Sequence, residues 1–540
     1  MSDNISSENT EKIITKRVRC DYNLLEQDIM KLRKQNVLNE LEILKLSGHS
    51  VIFENQEMIG SQVVTHLNNR KIINIMVVSK TQSGKTGSMC STIKKYLEDS
   101  SNLIPIENIY IITGLSSCEW KEQTKERMPE SIQSRVFHRC QLPSTFAKEI
   151  KDKHNILIMM DEIQVAAKKG QTIHNSFKNA GLLNKSKLYE NDIKIIEYTA
   201  TPDGTIYDLM KWNDASTKIL ADVGDGYVSS YNLLEMGRVK QFKDICGYDK
   251  KTGEVDEAVF ENIQEIKNDI ITFDNPRYHI IRTKNGLEQD LTIKNFKQIF
   301  NIDTYNFIKY DIESEIKDIN NIIIIKPEKH TFIFIKEMLR CAKTLKKEFI
   351  GILYDRYSKN PDDTTIIQGL VGRDTGYDNN GISICYTNKD SINRYEQLWV
   401  SNFEDTTIKW KSKTTKYKNG ILSGKNTFND PKDYDGFSVD RNDIDELKEP
   451  VIKKSKTQEE GKEYFNKELK KKMRGRGPST RKYNNDGYYE ATIRSKKKIY
   501  TCEEIKCERK WGLNVTNYRF YPCYQDINDK STLQWWFIHY

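Results

Sequence analysis

The sequence predicts an α/β protein of two parallel-sheet domains in tandem, with a helical segment before them and a small basic α+β module after them. Three observations carry this reading. Short, Ile-rich apolar runs alternate with helical stretches, these runs fall into two series, and the excess of Lys and Arg sits near one end of the chain. Strands that are apolar along their whole length, rather than at every second residue, are buried on both faces. That is the pattern of a parallel sheet covered by helices.

The elements follow in order. Residues 1 to 15, within "MSDNISSENTEKIITKRVRC", are polar and lack the apolar centre of a secretory signal, so a disordered lead-in is expected. "NLLEQDIMKLRKQNVLNELEILKL" carries apolar residues at three-to-four spacing and predicts helix within the first segment, 1–55. The first sheet domain, 56–215, contains "INIMVV", the helical "STIKKYLE", "NIYIIT" at 108–113, "NILIMMDE" at 155–162 and "IKIIEYTATP" at 193–202. Residues 216–270 read as a connection. The second sheet domain, 271–404, has strand-like runs at "RYHIIRT", "NIIIIK", "TFIFIK", "EFIGILYD" and "GISICYT". Residues 405–460 are rich in Lys, Asp, Asn, Ser, Thr and Gly and read as a linker. The last module, 461–540, is expected to hold a hairpin at "YYEATIRSKKKIYT" and a buried final strand at "TLQWWFIHY".

The chain has 540 residues and a net charge of +8. Residues 451–510 hold 19 Lys and Arg against 9 Asp and Glu, so the rest of the chain is near neutral. A basic module on a neutral body is the footprint expected for a polyanion partner. Lys496, Lys497 and Lys498 lie among Tyr488, Tyr489, Tyr500 and Trp511, a mixture that suits base stacking beside phosphate contacts. For Trp511, Trp535 and Trp536 the favoured reading is a small core. No run of about 18 apolar residues predicts a membrane span. The ten cysteines lack framework spacing and read as reduced thiols of an intracellular protein that is not secreted. Cys502, Cys507 and Cys523 are loosely spaced for zinc, with only His539 as a possible fourth ligand.

The chemistry is concentrated in "IINIMVVSKTQSGKTGSM", residues 72–89. A strand, a loop of small residues and a helix opening at Lys-Thr make an anion site, because the helix N-terminus offers unpaired N–H groups and partial positive charge. Ser79, Gln82, Ser83 and Gly84 would line the loop, with Gly84 allowing close backbone approach. Lys85 would reach the outer phosphates, and Thr86 would ligate Mg²⁺. Asp161 and Glu162 end an apolar strand at the edge where open parallel sheets bind ligands. Asp161 is the candidate to hold Mg²⁺ beside Thr86, and Glu162 the candidate to polarise an attacking water.

With these motifs in place, the chain resembles the superfamily-two DExx-box helicases and translocases over about residues 55–400. "SKTQSGKT" is similar to their first motif and "DEIQ", 161–164, to the DExx box. Gln62 stands about where the family's adenine-reading glutamine does. "IITGLSSCEWKEQT" resembles the segment touching nucleic-acid backbone, with Thr113 and Gly114 as candidates. "YTATP" resembles the coupling motif through Thr199, Ala200 and Thr201. "LRCAKTL" contributes Arg340 and Thr344 as further nucleic-acid candidates. "IIQGLVGRDTGY" resembles the last motif, with Gln368 and the cross-interface Arg373. In motif style the chain is most similar to viral and phage helicase-like ATPases. It departs from the pattern where Gly376 replaces a second arginine, and where Gln368 lies one residue further from Gly372 and Arg373 than is usual. The resemblance implies two RecA-like domains, ATP and Mg²⁺ as cofactors, and a nucleic-acid partner, DNA favoured over RNA. It implies a helicase or translocase. A duplex-DNA translocase without unwinding, and a nucleic-acid-binding protein with an inactive ATP site, stay open at this point.

Overall fold

The computed structural model describes residues 22–99, 104–116, 118–151, 153–249, 252, 254–283, 286–310, 318–336, 344–425, 427–430, 451–470, 501–502, 518–526 and 528–539. Arg340, Lys496, Lys497, Lys498, the lead-in and most of the expected 488–501 hairpin lie outside these residues. The chain divides into two compact units, Met1–Gly436 and Phe437–Tyr540.

The first unit contains both expected sheets. Sheet one is formed by β1 (Asn74–Ser79), β2 (Ile109–Thr113), β3 (Val136–Phe137), β4 (Ile156–Asp161), β5 (Ile193–Thr199) and β6 (Ser216–Ala221). Its order is β3-β2-β4-β5-β1-β6, and every pairing is parallel. Sheet two is formed by β7 (Val239–Gln241), β8 (Tyr278–Thr283), β9 (Asn306–Tyr310), β10 (Thr331–Lys336), β11 (Ile350–Tyr354) and β12 (Ile384–Thr387). Its order is β7-β12-β11-β8-β10-β9, again all parallel. β1, β2, β4 and β5 are buried at every position, which is why their sequences are continuous apolar runs. The protein is therefore α/β, with two six-stranded parallel sheets in tandem.

Several expected boundaries move. The stretch 216–270 is more than a connection: it supplies β6 to one sheet, β7 to the other, and the helix Ala258–Ile270 whose apolar face packs into the core. "NIIIIK" is not a strand. Its first residues lie in the short helix Asn320–Ile323, opened by the Asp318 carboxylate accepting the Asn320 N–H at 2.8 Å. Ile323 is buried while Ile324 and Ile325 are exposed. An unbroken run of isoleucines has no period to distinguish helix from strand.

Residues 402–430 also form more than a linker, because they return as a strap over the first sheet domain. The Trp410 indole N–H donates to Asp203 Oδ1 at 2.9 Å. A hairpin of β13 (Thr415–Lys418) and β14 (Ile421–Gly424) follows. Thr427 then donates to the buried Asp208 at 2.6 Å, and Asn429 Nδ2 donates to both oxygens of Glu197 in β5 at 2.9 and 3.0 Å.

The second unit pairs β15 (Val451–Ser455), β16 (Tyr518–Tyr524) and β17 (Leu533–His539) in the antiparallel order β15-β17-β16. It begins before the expected residue 461. Phe465, Leu469 and Phe537 make one small core, and Cys502, Cys523, Trp536 and Ile538 another, so Trp535 and Trp536 are buried. The Cys502 and Cys523 sulfurs are free thiols 3.3 Å apart. Among the described residues no group of three His, Cys, Asp or Glu side chains is placed to hold a metal. No described helix is long and apolar enough to cross a membrane.

Candidate nucleotide site between the two sheet domains

β1 ends at Ser79, and the next regular element is the helix Lys85–Glu98. Between them Gln82 and Gly84 take left-handed backbone angles, φ +58° and +98°. Glycine at 84 is favoured chiefly by its backbone angle. Its φ disfavours any Cβ, and a Cβ there would stand 2.1 Å from Gln56 Nε2. Ser83 Oγ donates to the Lys80 carbonyl at 2.7 Å and closes the turn. Ser79 is enclosed in the sheet rather than in the loop, in register with Ala221 of β6. The N–H groups of the helix's first turn open onto a cavity of about 870 Å³.

That cavity brings together Gln82, Gly84, Lys85, Thr86, Asp161, Glu162, Thr344, Gln368 and Arg373. Residues from both sheets thus face one space. Lys85 Nζ lies 3.0 Å from Glu162 Oε1. Burial pushes the Lys85 pKa down, but Glu162 and Asp161 more than offset it, and the net shift is upward. Glu162 is itself held at φ +52°, in the left-handed region, a conformation that persists only where the surroundings over-determine it. Its burial works against ionisation, but Lys85, Gln164 and Arg373 outweigh that and leave its pKa lowered. Asp161 behaves oppositely: burial and the neighbouring Glu162 raise it to about 6, against the pull of Lys85 and Trp120.

The oxygens of Asp161 accept from two N–H groups, Trp120 Nε1 on Oδ2 at 2.8 Å and the Glu162 backbone on Oδ1 at 3.0 Å. A carboxylate offers about four acceptor positions, so lone pairs remain for a cation. Mg²⁺ prefers oxygen ligands and is commonly bound by one or two carboxylates together with substrate phosphates. The Asp161 carboxylate and Thr86 hydroxyl on one cavity wall fit that requirement.

Arg373 lies in the short helix Leu370–Asp374, whose ends are pinned by carboxylates. Asp355 Oδ1 accepts the Leu370 N–H at 3.1 Å, and the Asp374 carboxylate accepts from Ser383 Oγ at 2.7 and 3.0 Å. Arg373 is buried and donates to the Gln368 carbonyl at 3.2 Å. Gln368, despite its unusual spacing, crosses the interface, with Nε2 donating to Glu162 Oε2 at 2.7 Å. On the first domain Gln164 Nε2 donates to the same oxygen at 2.6 Å, and Gln164 Oε1 accepts from Thr199 Oγ1 at 2.8 Å. Thr201 donates its backbone N–H to Thr199 Oγ1, and the Ala200 carbonyl accepts from Tyr395 OH of the second domain at 2.7 Å. The Thr-Ala-Thr segment is therefore linked through Gln164 to Glu162 and directly to the opposite sheet domain.

Besides Ser79, three more expected positions fall elsewhere. Gln62 is exposed on the helix Glu54–Leu67 and does not line the cavity. The glutamine of that helix that reaches the loop after β1 is Gln56, close against Gly84 and Gly87. Thr113 is fully buried, its hydroxyl donating to the Asp161 carbonyl at 2.8 Å, so it ties β2 to β4 instead of presenting a surface. Gly114 is enclosed as well, since a Cβ there would meet the Val165 carbonyl oxygen at 1.8 Å. The unexpected wall residues include Phe53 and Tyr377, whose rings are 6.4 Å apart at 25°. Tyr377, next to the position where a second arginine is absent, also accepts the Gly224 N–H at 2.9 Å.

No protein-family model matches the chain. A protein of Acanthamoeba polyphaga mimivirus, "Uncharacterized protein L594", is 28% identical over 321 residues, covering 56% of this chain and 77% of its own. Among solved structures, the chain is similar to the Escherichia coli DEAH/RHA helicase HrpB, with a TM-score of 0.41 and 11% identity over 62% of this chain and 43% of that one. It is also similar to S. cerevisiae Dbp5 bound to RNA and ADP BeF3, with a TM-score of 0.38 and 12% identity over 68% of this chain and 91% of that one. The chain thus spans less than half the length of HrpB.

Proposed function

We propose that this protein hydrolyses ATP in the cavity between its two sheet domains and uses the resulting domain movement to move along or unwind nucleic acid. The observation that supports this best is that Lys85, Asp161 and Glu162 of one sheet domain and Gln368 and Arg373 of the other line one cavity. Phosphoryl transfer asks little covalent chemistry of a protein and depends on positioning and charge. The loop Lys80–Gly84 and the helix behind it bind the phosphates, and Lys85 leaves Glu162 for them. Glu162, ionised because Lys85 and its amide donors lower its pKa, orients the attacking water and receives its proton. Arg373 faces the charge that develops on the transferred group. Mg²⁺, held by Thr86 and Asp161, would neutralise phosphate charge.

Because Gln368 and Tyr395 contact the first domain's Glu162 and Ala200, hydrolysis and domain separation are mechanically linked. The proposed partner is nucleic acid, held chiefly by its backbone, with salt-sensitive and weakly sequence-dependent binding. The test is ATP hydrolysis by the full chain with single-stranded DNA, duplex DNA or RNA added, beside Lys85→Ala. Stimulation by at least one polymer and its loss in the variant are expected. Hydrolysis unaffected by every polymer would overturn the motor reading.

A further inference from the structure

The helix Cys118–Glu126 follows β2 and turns one face to the nucleotide cavity. Trp120, Gln123 and Thr124, with Arg127 just past the helix end, line that cavity, and their spacing of three, four and seven residues is one helical stripe. Within the stripe Trp120 is 4% exposed, and its indole N–H donates to Asp161 Oδ2 at 2.8 Å. A tryptophan has a single polar handle, and a buried one finds a partner. Here the partner is the carboxylate best placed to bind a divalent cation.

We infer that Trp120 is a positioning residue for the divalent-cation site: its indole N–H fixes the Asp161 carboxylate so that the remaining lone pairs face the cation that accompanies the nucleotide. The inference rests on the ATPase reading of the cavity. An exposed carboxylate could be oriented by water. Asp161, 8% exposed and beside a second carboxylate, depends on fixed donors. Removing the donor costs cation affinity in the way that loss of an outer hydrogen-bonding partner does, about 10- to 100-fold. Affinity for the nucleotide without the cation is set chiefly by the loop and Lys85, whose donors face the phosphates directly, whereas the Trp120 indole N–H is spent on Asp161.

The experiment compares the affinity of the full chain for a fluorescent, non-hydrolysable ATP analogue in Mg²⁺ and in EDTA. In Trp120→Phe, the strengthening that Mg²⁺ brings is expected to fall about 10- to 100-fold, with the EDTA affinity unchanged. In Asp161→Asn, the further change Trp120→Phe is expected to add little, because both act through one contact. Replacing Trp120 by its benzothienyl isostere, which deletes the N–H and keeps the ring, should reproduce the loss even if the Phe variant folds poorly. Equal losses in Mg²⁺ and EDTA, full additivity with Asp161→Asn, or an isostere indistinguishable from the parent would each overturn the inference. If the parent binds no nucleotide, the ATPase reading fails instead, and the two failures are thereby told apart.

Discussion

Glu197 sits at the centre of sheet one, fully buried, with no cation among its hydrogen-bond partners. Its carboxylate accepts from Asn74 Nδ2 at 2.8 Å and from Asn429 of the strap. Burial pushes its pKa from 4.5 to about 7, against the pull of those two amides. A carboxyl whose pKa is raised by folding holds its proton more tightly folded than unfolded, so stability is greatest below pH 4.5 and falls as pH rises to about 7. At 1.36 kcal/mol per pH unit, the loss is about 3 kcal/mol. Glu197→Gln keeps the acceptor oxygen and the volume and removes the titration. Its new amide N–H also has a target, because Asn74 Oδ1 has no partner among the described residues.

The prediction is that Glu197→Gln matches the parent near pH 4 and exceeds it by about 3 kcal/mol at pH 8. The assay is hydrogen exchange of peptides covering β1 and β5, corrected for intrinsic rates. These strands exchange only when the sheet opens, which avoids assuming two-state unfolding of a chain of several domains. A protection gain of about 100-fold at pH 8 is expected, with the remaining pH dependence shared by other carboxyls that burial raises, among them Asp203 to about 7 and Asp161 to about 6. Equal protection of the two proteins at pH 8, or the same gap at pH 4 and pH 8, would refute the reasoning.

Gly84→Ala places a methyl against Gln56 in a left-handed backbone and should weaken nucleotide binding by at least about tenfold, read by fluorescent-nucleotide titration. Arg373→Ala should lower the hydrolysis rate by about 10³-fold or more while changing nucleotide affinity far less, a split seen in kcat against KM. Gln368→Ala removes the donor that crosses to Glu162, at a cost of about 1.5–3 kcal/mol for a bond to a charged group. Its polymer-stimulated hydrolysis should fall by at least about tenfold, and retention of full stimulation would exclude Gln368 from the coupling.

Both sheets were legible in the sequence where a strand is buried on both faces, as with β1 and β4, because such apolar runs recur in alternation with helical segments. β3 has two residues, and β9 is an edge strand with one of its five positions fully buried, so neither carries that signature. Lys85, Asp161, Glu162 and Arg373 were legible because each belongs to a short contiguous motif. Gln56 was not, because counting back from Lys85 favours Gln62. On a helix, six residues are about 240° of rotation, which turns Gln62 away from the loop that Gln56 faces. Trp120 and Asp161 are 41 residues apart, and their contact exists only once β2 and β4 lie side by side. The strap was hidden by its polar composition: its anchors are hydrogen bonds to the buried carboxylates Glu197, Asp203 and Asp208, not apolar burial alone.

Those anchors bear on how the domains move. The Thr-Ala-Thr segment ends at Asp203, whose Oδ1 accepts from Thr364 of the second domain and Trp410 of the strap. A few residues earlier, Thr199 acts through Gln164 on Glu162, which also accepts from Gln368 across the interface. One end of this segment therefore reads the position of the second domain and the strap, and the other end reads the charge of the acidic pair. Parting the domains removes Gln368 from Glu162 and Thr364 from Asp203 together. Glu162 would then be left to Lys85 and Gln164. The strap is fastened to the first domain and continuous with the second, so on the proposed ATPase reading it would limit how far the domains part.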